Sequence, residues 1–201
     1  MLKNIDNKLL INPSVALGQA KNEIVNMLDL SKINFDLGYH IITTLDFSKG
    51  NELEEREESI DFINNEITNF LIQLSHDASY KEETKIGSYF HIINDVERIG
   101  DHAYNFFESA KKLRDDDLKF SEHAISELNK MYFLIEEMFE LARDIFKKPD
   151  IEKVKKLHEL ENKTDIMKTE LSESHFKRIR ENLCNMQLSP SYTTLISEFE
   201  R

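Results

Sequence analysis

The sequence predicts an all-α fold: long helices arranged as two tandem three-helix repeats. Three observations predict it. Only five glycines and three prolines punctuate 201 residues, too few turn residues for a β-protein, whose strands reverse at short intervals. Between them, apolar residues recur at spacings of three and four, the period of helices with one buried face. Two helical segments also recur, in the same order and at nearly the same offset. "SYFHIINDVER" (88–98) lies over "SYTTLISEFER" (191–201), and "LEEREESIDFI" (53–63) lies over "LHELENKTDIM" (157–167). Such self-similarity marks an internal duplication of a unit of about 100 residues.

Each element follows in order. Residues 1–12 read as a linker. Asn12-Pro13 supplies an N-cap and a proline at the first helical position, so the first helix runs from about Pro13 to Asp46. Val15, Leu17, Ile24, Met27, Leu28 and Phe35 lie on its apolar side. Ser48, Lys49, Gly50 and Asn51 break the chain. The second helix, about Glu52 to His76, carries a stripe of Leu53, Ile60, Ile63, Ile67, Leu71 and Leu74. Ser79-x-x-Glu82 has the form of a capping box for the third helix, which fades near "RDDD". Ser121 caps a fourth helix to about Phe146. Pro149-Asp150 opens a fifth to about Leu183, and Ser189-Pro190 opens a sixth. The first repeat thus covers 13–116 and the second 117–201. The second copy stops after Glu200-Arg201, where the first continues into Ile99, Gly100 and Asp101. The second repeat is therefore expected to be truncated in its last helix, as in a piece of a longer chain.

Charge narrows the function. The chain has 26 basic and 38 acidic residues, a net charge of −12. That balance argues against nucleic acid or an anionic membrane surface as partner and is compatible with cations as ligands. Cys184 is the only cysteine, so there is no disulfide framework. The start "MLKNIDNKLLINPS" lacks the apolar core of a secretory signal, and no run reaches membrane-spanning length.

The acids arrive in pairs one helical turn apart: Glu57 with Asp61, Glu97 with Asp101, Glu161 with Asp165. Like charges at this spacing repel and stabilise nothing. The spacing alone is common in so acidic a chain, and its ordinary meaning is a solvated face; position says more. At 100° per residue, Glu97 falls about 40° and Asp101 about 80° from Ile93, at the border of the apolar stripe. A carboxylate placed there must be solvated, paired or bound to a cation. Paired carboxylates from neighbouring helices make an oxygen-rich site suited to Mg²⁺, Mn²⁺, Fe or Ca²⁺, with Zn²⁺ also accommodated. Gly100, between two of the acids, either admits a ligand or marks a helix crossing. No Glu stands three residues before any of the seven histidines, which excludes the Glu-x-x-His di-iron bundle. No nucleophile–base pair or phosphate-cradling glycine loop is present, so an enzyme is not expected.

"INDVERIGDHAYN", beginning at Ile93, resembles the signature of the PhoU family, whose two three-helix units each carry a pattern close to "ERIGDHA". The resemblance covers about residues 13–201. It implies a PhoU-like bundle with two metal clusters: Glu57, Asp61, Glu97 and Asp101 in one, and Glu161, Asp165 and Glu200 in the other, which lacks its last Asp. The metal would be Fe, Zn, Mn or Mg. "NKLLINPSVALGQAKNEIVNM", beginning at Asn7, is similar to the segment joining the membrane part of bacterial Na⁺/phosphate cotransporters to their C-terminal PhoU-like domain. That implies a regulatory, non-catalytic role in phosphate homeostasis at the cytoplasmic face of the inner membrane. The partners would be the membrane domain of the same transporter, inorganic phosphate held through metal, and in some members a second copy as homodimer. The alternatives are a free PhoU-type regulator of an ABC phosphate transporter and a metal-free helical docking module.

Overall fold

The computed structural model describes residues 2–201, and every regular element among them is helical. Six α-helices follow one another: α1 (Pro13–Thr44), α2 (Gly50–Ser75), α3 (Tyr80–Asp115), α4 (Glu122–Lys147), α5 (Ile151–Arg180) and α6 (Ser189–Glu200). Short 3₁₀ turns at Asn7–Ile11 and Met186–Leu188 precede α1 and α6.

The sequence marks the starts of α1, α4 and α5, while α2 begins at Gly50, two residues before the expected Glu52 and inside the expected break, with no side-chain cap on Lys49. Asn12 Oδ1 accepts from the Val15 amide at 3.4 Å, Ser121 Oγ from the Ala124 amide at 3.2 Å, and the Asp150 carboxylate from the Glu152 and Lys153 amides. Each satisfies donors that the first turn leaves without partners. At α3 only half of the expected box forms. Glu82 accepts from the Ser79 amide at 2.9 Å, while Ser79 Oγ donates to Glu82 at 2.6 Å instead of accepting from the helix.

The stops depend on residues other than glycine. Leu45, Asp117 and Asn182 adopt φ of 57°, 53° and 57°. Behind Asp117 and Asn182 the chain closes with Leu118 N–H to Leu113 C=O and Leu183 N–H to Arg178 C=O, both 2.8 Å. This six-to-one closure normally recruits glycine, and Asp and Asn are the next most tolerant of it. It ends α5 at Arg180, three residues before the expected Leu183.

The chain forms two compact units. The first gathers the residues up to Tyr39 with Asp46–Asn105; the second gathers His40–Leu45 with Phe106–Arg201. Packing therefore divides the chain within α1, between α1 and α2, and within α3, and not at the 116/117 boundary of the sequence repeats.

In unit 1 the stripe expected on α2 is wholly buried: Leu53, Ile60, Ile63, Ile67, Leu71 and Leu74 are each at most 2% exposed. Along α1, Leu17, Ile24, Met27, Leu28 and Phe35 are buried as expected, but Val15 is 44% exposed: the residue of the first turn that faces the core is its neighbour Ala16, with no exposed surface, and Val15 points about 100° away from it. The tight α1–α3 crossing is at Gly38, where a Cβ would stand 2.6 Å from the Ala103 carbonyl oxygen. The segment read as a linker is tied down. The wholly buried Glu23 accepts from the backbone amides of Lys3 (3.0 Å) and Asn4 (2.7 Å) and from the side chains of Asn4 and Asn26.

In unit 2, α4, α5 and α6 pack on one another around Leu128, Met131, Leu160, Leu171, Tyr192 and Phe199. The Phe106 and Phe199 rings meet edge to face at 5.4 Å, and Phe120 meets Tyr192 at 5.9 Å, the arrangement favoured by the ring quadrupoles.

Candidate metal centre

Unit 1 brings together the four acids of the first repeat. Glu57 and Asp61 come from α2, Glu97 and Asp101 from α3; burial first, and then the charge of acids on the other helix, raises the carboxyls of Glu57, Asp61 and Glu97. Glu57 is the innermost. Its carboxylate fills the space that Gly100 leaves: a Cβ on Gly100 would stand 3.0 and 3.1 Å from the two Glu57 carboxylate oxygens. Gly100 therefore makes room for a carboxylate of α2, while the helix crossing belongs to Gly38.

Glu57 is held from behind by α1. Asn34, with no exposed surface, donates from Nδ2 to the Leu53 carbonyl (3.2 Å) and to Glu57 Oε2 (3.1 Å), while its Oδ1 accepts from Arg56 Nη1 at 3.1 Å. These contacts fix the amide and aim Glu57. Glu57 Oε1, also buried, has no hydrogen-bond partner. An orphan acceptor of this kind is costly unless something donates or coordinates to it.

Electrostatics agree with the geometry. Burial pushes the Glu57 carboxyl up to about 7; the Asn34 hydrogen bond opposes this, and the charges of Asp61, Asp101 and Glu97 reinforce it. Burial and then Asp101 raise Asp61. Burial, Asp101 and Asp61 raise Glu97, against a small lowering by Arg98. Arg98 is mostly exposed, 4.0 Å from Asp95 on its own helix, and does not neutralise the set. His102 is half-buried beside Asp101.

As they stand, no three His, Cys, Asp or Glu side chains among the described residues are arranged to hold one ion. The first set is thus an open cluster of oxygens, not a closed coordination shell. Its chemistry fits a hard cation: all donors are oxygen, one is buried without a donor, and no base neutralises the innermost carboxylate.

The second set is built differently. Asp165 is exposed. Glu161, with 49% of its side chain exposed, lies 2.8 Å from His158 Nδ1. Glu200 Oε2 is 2.6 Å from Lys168 Nζ. The expected second cluster is therefore a group of solvated or base-paired acids, and it does not fit a metal as the first set does.

One polar cluster lay outside the sequence-based expectations. Arg178 of α5 is 7% exposed. Its Nη1 donates to Glu127 of α4 and to Ser174 Oγ at 2.9 Å, and Tyr192 of α6 donates to Glu127 at 3.2 Å. Burial pushes Glu127 up, but hydrogen bonds from Ser174 and Arg178 outweigh it and hold the carboxyl below its ordinary value. His175 stacks on Tyr192 at 4.4 Å, and burial followed by the Arg178 charge holds its imidazole low. The Arg178–Glu127 ion pair joins α5 to α4, and the Tyr192 hydrogen bond to Glu127 adds α6. The cluster's only sequence signal is a polar residue at a core position of each helix, which periodicity does not distinguish from a surface residue.

Among known proteins, the PhoU domain model matches residues 24–110 and 128–201. The chain is also 24% identical, over 183 residues, to the Phosphate-specific transport system accessory protein PhoU homolog 1 of Thermotoga maritima. That match covers 90% of this chain and 78% of the relative.

Proposed function

This chain belongs to the PhoU family, and from that premise we propose that it is a regulatory domain of phosphate uptake that takes metal on the acidic face of unit 1. The observation that carries the reading is the innermost carboxylate. Glu57 is aimed by Asn34, admitted by Gly100, raised to about 7 by burial and its acidic neighbours, and left with one oxygen unpartnered. Four carboxylates without a base repel phosphate, and a bound cation cluster supplies the field that reverses this. Glu57, Asp61, Glu97 and Asp101 would hold the cation: the all-oxygen donor set suits a hard ion, and the family resemblance narrows it to Fe, Mn, Zn or Mg. Inorganic phosphate would then reach the domain through the metal. The role is regulatory, since neither set places a nucleophile beside a base.

Two transport contexts each have support. The segment "NPSVALGQA" beginning at Asn12 favours a domain that docks on the membrane part of its own Na⁺-dependent phosphate transporter, at the cytoplasmic face of the inner membrane. The name of the Thermotoga relative favours a separate accessory protein of a phosphate-specific transport system. No helix among the described residues is long and apolar enough to cross a membrane, which suits both. The reading frame upstream of Met1 separates them: membrane-spanning helices there support the fused form, and their absence the free form.

Calorimetric titration of inorganic phosphate into the metal-free and Mn²⁺-loaded chain tests the metal bridge. Heat of binding only in the loaded chain is expected. Equal heats in both would refute it.

A further inference from the structure

The duplication allows the two acidic sets to be compared position by position. Extending the 104-residue offset of α2 and α5, Glu54 and Asn64 correspond to His158 and Lys168, and Asn34 of α1 corresponds to Met138 of α4. Each replacement moves the second set in the same direction.

In unit 1, Asn34 donates to the inner carboxylate. Met138 cannot donate; instead its Sδ accepts from Thr164 Oγ1 at 3.6 Å. Asn64 lies one turn beyond Asp61, and its Oδ1 is buried with no hydrogen-bond partner, a second orphan oxygen on the face of α2 that carries Glu57. Lys168, in the same place on α5, is a cation whose Nζ stands 2.6 Å from Glu200 of α6. Glu54 adds an acid to the first set's helix, whereas His158 sits 2.8 Å from Glu161. The first copy has oxygens lacking donors; the second has nitrogen donors already on its carboxylates.

We propose that the second acidic set is not a cation site but a self-neutralised clasp: Lys168 is its built-in counter-ion, and the Lys168–Glu200 pair fastens α5 to α6. An ammonium on one carboxylate takes up the oxygen that a metal would use and repels an incoming divalent ion. The two side chains are 36% and 31% exposed, so water screens the pair and its hold on the helices is modest. The contrast with the first set rests on the metal reading above; the clasp itself does not.

The test has two arms on the full chain. In the first, wild type and Glu161→Gln/Asp165→Asn are dialysed against Mn²⁺ and their bound Mn²⁺ is quantified by mass spectrometry. The variant is expected to keep the wild-type content, and a loss of part of it would overturn the proposal. In the second, Lys168→Met, Glu200→Gln and the double variant are melted without metal at low salt. Each single variant is expected to lower Tm by about 1–2 °C, and the double by no more than either. Additive shifts would overturn the clasp. If wild type takes up no Mn²⁺, the metal reading of unit 1 fails, while the metal-free cycle still decides the clasp.

Discussion

Replacing Glu57 by Gln should stabilise the metal-free protein, and only above a defined pH. The Glu57 carboxyl is raised from 4.5 to about 7 by burial, with the neighbouring acids adding to it. The folded chain therefore holds a proton between these values that the unfolded chain releases. Because the native state binds more protons there, stability falls as pH rises through the window from 4.5 to about 7. At full strength the difference corresponds to about 3 kcal/mol. Water reaches this half-buried site, and screening reduces the figure to about 1–2 kcal/mol. Glutamine keeps the shape and still accepts from Asn34, but carries no charge. Urea unfolding in the presence of chelator at pH 4.5 and pH 8 is the assay. The two proteins should be nearly equal at pH 4.5, with Glu57→Gln more stable by about 1–2 kcal/mol at pH 8. Some pH dependence should remain, since Asp61 and Glu97 are raised in the same sense. A variant less stable than wild type at pH 8 would refute the reasoning and show that the Glu57 charge has a favourable partner.

Two further substitutions test the frame around this site. Gly38→Ala places a Cβ 2.6 Å from the Ala103 backbone oxygen; the helices must move apart, and a loss of about 1–3 kcal/mol in urea unfolding is expected despite alanine's better helix propensity. Arg178→Ala leaves the largely buried Glu127 without its cation but still hydrogen-bonded to Ser174 and Tyr192, and chemical denaturation should show a loss of about 2–4 kcal/mol. Much of that should return in Arg178→Met/Glu127→Met, which removes both charges.

Much of the fold was legible because helix starts carry local chemistry. Asn12, Ser121 and Asp150 cap where a short polar side chain precedes an apolar period, and the α2 stripe is buried at every expected position. Stops were less legible. Asp117 and Asn182 take the left-handed conformation that a sequence reading looks for at glycine. Val15 is apolar, but the smaller Ala16 beside it takes the core-facing position of the first turn. Pairing and spacing singled out Glu57 with Asp61 and Glu97 with Asp101 as acids bordering the apolar stripes, and the family resemblance grouped the two pairs, which α2 and α3 bring to one face. What spacing cannot show is which base reaches which acid. Lys168 and Glu200 are 32 residues apart, and Arg178 and Glu127 are 51 apart; both pairs depend on how α4, α5 and α6 pack. Asn64 and Lys168 lie one position beyond the aligned segments 53–63 and 157–167, and the consequence of their difference needed the α5–α6 contact.

The central claim is that the paired acids of unit 1 are metal ligands. Purifying the chain without chelators and quantifying Fe, Mn, Zn and Mg by plasma mass spectrometry, beside Glu97→Gln/Asp101→Asn, tests it most directly. Stoichiometric metal in the wild type that falls away in a still-folded variant is the predicted result. No metal in either protein, even after incubation with Fe, Zn or Mn, would contradict the claim and leave the acidic face as a bare docking surface.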